Sequence, residues 1–299
     1  MNALPYSDVE FSLSGLKLRG RRWRSQQDTD LLPVVALHGW MDNCGSFDFL
    51  ARELMQLTPA SFDIVALDLA GHGQSDARKH CEAYSIWQDI GEILEVANQL
   101  GWQRFALLGH SRGAMIATLT AATFPERVSH LAAIEALTPQ PAAASDAVGQ
   151  LSASIKAVMA AKNRKTRYYT SLAAATKSRA RGLFELAYAD AEVLAQRGVH
   201  NSEKGFYWGN DPVLAAPSAV KFTTEQLHAF VSALKLQAKL ILASNSMIWD
   251  FLPNKSWLEH FDYIDIETFP GGHHLHMSEQ APAIALSLQS YFAAEQSQL

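Results

Sequence analysis

The chain has 299 residues, 48% of them hydrophobic and 18% charged, which suits one large domain or a core domain carrying an insertion. A net charge of −5 without long runs of one sign argues against a nucleic-acid surface. The start of the chain lacks a basic segment followed by an apolar one, and no apolar stretch is long enough to span a bilayer, so a cytoplasmic protein without membrane contact is expected.

Val9–Leu13 and Leu16–Trp23 alternate around Ser14-Gly15 and predict an opening β-hairpin. The basic cluster Arg19, Arg21, Arg22 and Arg24 is read as alternating with apolar residues and as the exposed face of a strand. Pro33–Leu37 is an apolar strand ending at His38-Gly39, and Phe47–Leu57 has helical periodicity. Asp63–Leu67 is a further strand, followed by a loop from Asp68 to Ser75. Ser85–Leu100 reads as a helix stopped at Gly101.

Arg104–Leu108, a short apolar run, then leads into Gly109-His110-Ser111-Arg112-Gly113, and an Ala-rich helical stretch follows from Ala114 to Ala122. Strand, tight turn and helix with Ser at the apex form a nucleophile elbow. The glycines permit a sharp turn and close backbone packing. The helix N-terminus below the hydroxyl favours a developing oxyanion.

Val128–Ile134 is the next strand. After Thr138 comes a linker-like Pro/Ala stretch, and residues 147–234 read as helical without a convincing strand. Strands resume at Lys239–Ala243 and Tyr263–Phe269, and the last helix covers about Ala281–Ala293. This order predicts a mostly parallel α/β sheet with helices on both faces and an inserted helical cap. The expected division is core 1–137, cap 138–235 and core 236–299.

Cys44 and Cys81 lack the spacing of a disulfide framework or metal site and are read as reduced structural residues. His273-His274-Leu275-His276 is His-rich, but nothing in the sequence completes a metal cluster, so neither metal nor cofactor is expected. Gly71-His72-Gly73 is not a dinucleotide fingerprint.

Three motifs now stand in order: His38-Gly39-Trp40, the Ser111 elbow, and Gly271-Gly272-His273. Together with Asp68-Leu69-Ala70-Gly71-His72-Gly73-Gln74-Ser75, they make the chain resemble the α/β-hydrolase superfamily over roughly residues 9–293. His38–Asn43 and His273–Glu279 look most like its serine hydrolase-like esterase group. The resemblance implies the α/β-hydrolase fold and a Ser–His–acid site.

Ser111 is the candidate nucleophile and needs a base within hydrogen-bond reach. On chemistry alone His273, His274 and His276 compete; the resemblance favours His273, directly after the glycines, and leaves His276 a packing role. No carboxylate lies just after Ala243, where the superfamily's acid usually stands, and Asp250 comes several residues late. The superfamily's other acid position, at the end of the preceding strand, holds Glu135. Glu135 is therefore the expected acid and Asp250 the alternative. The resemblance assigns the oxyanion hole to the backbone N–H groups of Trp40 and Arg112. His38, His72, His110 and Asp68 are read as structural. Arg112 could also meet an anionic substrate.

Phe206-Tyr207-Trp208 in the cap and Met247 and Trp249 after it are candidates for an apolar substrate pocket. The expected activity is hydrolysis of a small-molecule ester, with a thioester or C–C bond as variants of the same chemistry. A non-catalytic ligand-binding member of the fold is the alternative from another class. Oligomeric state has no signal in the sequence.

Overall fold

The computed structural model describes residues 6–25, 30–57, 62–79, 82–161, 163–246, 260–277 and 279–294. Ten strands and eight α-helices are formed among them: β1 Ser7–Leu13, β2 Leu16–Arg24, β3 Leu32–Leu37, α1 Asp48–Leu57, β4 Phe62–Asp68, α2 Ile86–Gln99, β5 Phe105–His110, α3 Arg112–Thr123, β6 Val128–Ile134, α4 Ala147–Ala161, α5 Leu172–Ala180, α6 Tyr188–Gly198, β7 Val199–Ser202, β8 Gly205–Trp208, α7 Thr224–Ser232, β9 Ala238–Ala243, β10 Ile264–Phe269 and α8 Ala281–Ala293.

Eight strands make one sheet in the order β1-β2-β4-β3-β5-β6-β9-β10. The β1–β2 and β2–β4 pairs are antiparallel, and every later pair is parallel. Strand alternation sorts the apolar side chains into two cores. Val35, Leu37 and Leu107 pack on one face with Ile93 of α2 and Leu119 of α3. Val34, Ala36 and Leu108 pack on the other with Leu54 of α1 and Leu288 of α8. Strands covered on both faces lose their period-2 signature and read as continuous apolar runs, as β3 does and as β5 does from Phe105 to Leu108.

Local chemistry sets the helix ends. The Ser85 N–H donates to Gln88 Oε1 at 2.9 Å in a capping box that starts α2. Thr223 and Gln226 make the same arrangement before α7. Each supplies hydrogen bonds that the first helical turn cannot make for itself.

One expectation for the cap is corrected. Residues 199–208 form an antiparallel hairpin, β7–β8, extended by a bridge between Phe206 and Tyr169. Phe206-Tyr207-Trp208 thus lie on a strand, in a segment read from the sequence as helical. Four-residue strands span too few alternations to register against the surrounding helices. The strand is set by pairing: the Tyr169 N–H donates to the Phe206 carbonyl at 2.7 Å, and the Phe206 N–H returns the bond at 3.0 Å.

The cap segment sits over the C-terminal edge of the sheet, tied there by polar side chains. Arg197 of α6 donates to Asp68 at 2.9 Å and Asp8 at 3.0 Å. Asp68 also accepts the Cys44 and Gln74 N–H groups, each at 2.8 Å, so its role is structural. Tyr84 Oη donates to Asp211 at 2.6 Å. The Asn43 amide donates to the Leu194 carbonyl at 2.9 Å. Cys44 is buried and unoxidised, its thiol pushed well up by burial; Cys81 lies outside the described residues.

Candidate active site

The sheet register brings the site together. β5, β6, β9 and β10 are neighbours, so the residues beyond their C-terminal ends converge at one edge. Ser111 follows β5, Glu135 follows β6, Ala243 closes β9, and His273 lies in the loop after β10. Backbone bonds lock these ends: the Ser111 N–H donates to the Ile134 carbonyl, and the Glu135 N–H to the Ile241 carbonyl, both at 2.8 Å.

Ser111 has φ 51° and ψ −115°, a strained conformation for a residue with a side chain. A side chain at Gly113 would run into the Leu37 carbonyl of β3, and one at Gly109 into the backbone of Ala114. Only glycine on both flanks lets α3 start this close to the sheet. Met41 at φ 63° and Glu135 at φ 61° are the other non-glycine residues with positive φ among those described. All three border the same edge. Strain of about 1–3 kcal/mol at each is held by the surrounding packing.

Ser111 Oγ lies 3.0 Å from His273 Nε2, and His273 Nδ1 lies 3.0 Å from Glu135 Oε2. The carboxylate accepts from Nδ1–H, which leaves the Nε2 lone pair facing the serine hydroxyl. Glu135 is fully buried. It also accepts from the Ala243 N–H at 2.6 Å and from the Ser246 hydroxyl. Three donors compensate a burial that would otherwise expel the charge. Such a line can move a proton from hydroxyl to imidazole while the carboxylate holds the ring in one tautomer.

The N–H groups of Trp40 and Arg112 donate to no acceptor among the described residues. Arg112 opens α3, where the helix dipole adds positive potential. Its guanidinium is engaged elsewhere, donating to the buried Asp89 at 2.8 Å. Asp89 also accepts from Arg78, and Arg112 lines a small cleft with Trp40 and Tyr84. The Trp40 indole donates to the Leu214 carbonyl at 2.8 Å, joining its loop to the cap.

A second buried cluster stands behind His273. The Asp42 carboxylate accepts from Arg179 of α5 at 2.7 Å and from His274 Nε2 at 3.1 Å. Burial pushes the Asp42 carboxyl up, but His274 and Arg179 outweigh it and hold the acid well below the usual range. His110 Nε2 donates to the His273 backbone carbonyl at 2.9 Å and fixes that loop. Burial keeps His110 and His72 neutral, and His276, packed against Phe47 and His110, is lowered to about 3. His38 Nδ1 donates to the Gly39 carbonyl at 2.7 Å, and its Nε2 accepts the Leu69 N–H at 3.0 Å. The donor atoms of Asp42, His110 and His274 lie within 4.8 Å of one another, a grouping the sequence did not reveal. The Arg179 guanidinium already supplies the cation there.

The sequence and the fold match known proteins. The model for the α/β-hydrolase fold matches residues 33–210. Serine hydrolase-like protein 2 of Homo sapiens is 30% identical over 93% of this chain and 92% of its own length. The chain belongs to the α/β-hydrolase family, in its serine hydrolase-like group. A serine hydrolase-like protein of Danio rerio is 27% identical over 88% of this chain and 81% of its own. A crystal structure of a hypothetical protein from Pseudomonas aeruginosa PAO1 superposes with a TM-score of 0.89 at 37% identity, covering 96% and 99% of the two chains. The thioesterase domain from the curacin biosynthetic pathway, with a TM-score of 0.81 and 22% identity, shares the fold.

In this hydrolase, Tyr207 and Trp208 line a cleft of about 810 Å³ together with Met41 and Arg179. Met247, Trp249 and Asp250 lie outside the described residues. The sequence reading missed Arg179, Phe184 and Ser246. Phe184 stacks on the His273 ring with centroids 4.2 Å apart and planes at 25°. Its carbonyl accepts from Arg179 at 3.1 Å. Neither cap residue sits in a motif, and only the fold brings them to the histidine loop.

Proposed function

We propose that the chain is a serine hydrolase that cleaves small carboxylic esters through an acyl-enzyme intermediate. The reading rests above all on the line Ser111 Oγ–His273–Glu135, with 3.0 Å at each link and the serine held at φ 51°. Ser111 attacks the ester carbonyl while His273 Nε2 takes its proton. Glu135 holds the ring through Nδ1 and stabilises the imidazolium. The oxyanion is met by the N–H groups of Trp40 and Arg112, each worth about 3 kcal/mol of transition-state stabilisation. His273 then protonates the leaving alcohol, and water releases the acid by the same route in reverse. A thioester fits the same steps.

Ser111→Ala tests the assignment. Hydrolysis of p-nitrophenyl esters of rising chain length is expected to fall by at least about 10³ in kcat/KM, with the circular dichroism spectrum unchanged. Retained hydrolysis in a purified variant contradicts the nucleophile. No hydrolysis by the parent chain on any such ester favours a ligand-binding member of the family instead.

A further inference from the structure

Charge is divided unevenly along this chain. Residues 138–235 contain twelve Lys and Arg against seven Asp and Glu, and the remainder contains thirteen against twenty-three. An insertion of net +5 therefore covers a body of net −10. Most of the core's basic side chains are spoken for: Lys17, Arg19, Arg21, Arg22, Arg24, Arg78, Arg112 and Lys239 all pair with carboxylates.

The cap run Arg164-Lys165-Thr166-Arg167 differs. Its three cations have no carboxylate partner among the described residues, and all three line the 810 Å³ cleft. Arg167 lies over the Tyr169 ring, 5.0 Å from its centroid. The one acid on the cleft wall, Asp211, is satisfied through both oxygens, by Tyr84 Oη at 2.6 Å and the Val213 N–H at 2.9 Å. The cleft also touches the candidate active site. Met41 adjoins Trp40, the candidate oxyanion donor, and Arg179 donates to Asp42, which pairs with His274 beside His273.

We infer that this cleft binds an anionic group on the substrate, a carboxylate, phosphate or sulfate set apart from the scissile bond. The inference rests on the hydrolase reading above. Unpaired cations around a concave, partly apolar surface concentrate potential there, and a free anion gains more from them than from cations already neutralised. Tyr207 and Trp208 supply flat apolar surface for the part of the substrate between the anion and the reacting carbonyl.

Two matched substrate pairs locate the anion. Mono(p-nitrophenyl) glutarate against p-nitrophenyl butyrate places it in the acyl half. Butyryl-coenzyme A against butyryl N-acetylcysteamine places it in the leaving half. In at least one pair, the anionic member is expected to have a kcat/KM about tenfold higher at low ionic strength. That ratio is expected to fall towards one in the triple variant Arg164→Gln, Lys165→Gln, Arg167→Gln, and in about 0.5 M salt. A ratio at or below one in both pairs overturns the inference while leaving the hydrolase intact, and so does a ratio that the triple variant keeps. Calorimetric titration of Ser111→Ala with glutarate and with coenzyme A reads the cleft without turnover. Binding weakened about tenfold by the triple substitution supports the cleft even if no ester is hydrolysed. Binding of neither probe, or binding indifferent to the substitutions, overturns it.

Discussion

The residue that organises the site is Glu135. A carboxylate inside Ala133-Ile134-Glu135-Ala136-Leu137 is costly without partners, and the structure supplies three donors to it. The sequence marked this residue by that conflict, an acid in an apolar run. It gave no sign of Ser246, because a serine in a loop is unremarkable until its hydroxyl is placed on the acid. Glu135→Gln is expected to lower kcat by orders of magnitude, since the amide neither stabilises an imidazolium nor enforces the tautomer. A comparable replacement in a well-studied serine protease costs about 10⁴. Asp250→Asn is expected to change kcat/KM within about threefold, the range of a substitution worth under 0.7 kcal/mol. The opposite ordering in steady-state kinetics moves the acid to Asp250.

At the scale of elements, the α5 end of the cap holds the histidine loop. Arg179 donates at once to Asp42, which also accepts from His274, and to the carbonyl of Phe184, whose ring lies flat on His273. Arg179→Met removes the guanidinium and leaves the buried Asp42 with His274 alone. Breaking one partner of a buried pair costs about 3–5 kcal/mol, so thermal unfolding should show a drop of several degrees. An unchanged Tm contradicts the latch. Elements were legible where periodicity ran long enough: the capped helix α2, the buried strands and the elbow all follow from their own residues. The β7–β8 hairpin was not, because its strands are four residues long and owe their form to pairing with Tyr169. The cap cations were overlooked for a related reason. Arg164, Lys165 and Arg167 resemble any solvated run until the fold wraps them around a cleft, whereas the more conspicuous Arg19–Arg24 cluster is consumed by ion pairs.

For the whole molecule, the buried histidines set the response to acid. His38, His72, His110 and His276 are all held below the ordinary imidazole range, chiefly by burial. A depressed folded-state pKa means that the unfolded chain binds protons first, so stability is present at neutral pH and is lost as pH falls below the unfolded value. His276, lowered to about 3, alone accounts for roughly 3 kcal/mol lost between pH 7.5 and 4.5. Glu92 acts in the opposite sense. Burial raises it to about 7, so the folded state takes up its proton first and gains stability over the same interval. One carboxyl offsets about one imidazole of that size, and the remaining histidines leave a net loss. Urea unfolding at the two pH values is expected to show a clearly lower midpoint at pH 4.5. Equal midpoints contradict the assignment of these histidines as neutral and buried.

Every step proposed for this hydrolase begins at Ser111. Its hydroxyl faces the Nε2 lone pair of a ring that Glu135 holds, and the N–H groups of Trp40 and Arg112, proposed to meet the oxyanion, have no acceptor among the described residues. A fluorophosphonate probe should therefore phosphonylate this serine alone. Mass spectrometry of the digested protein is expected to place the adduct on the peptide containing Gly109–Gly113, with labelling abolished in Ser111→Ala and strongly slowed in His273→Ala. Absence of an adduct on a folded protein, or an adduct on another serine, contradicts the account.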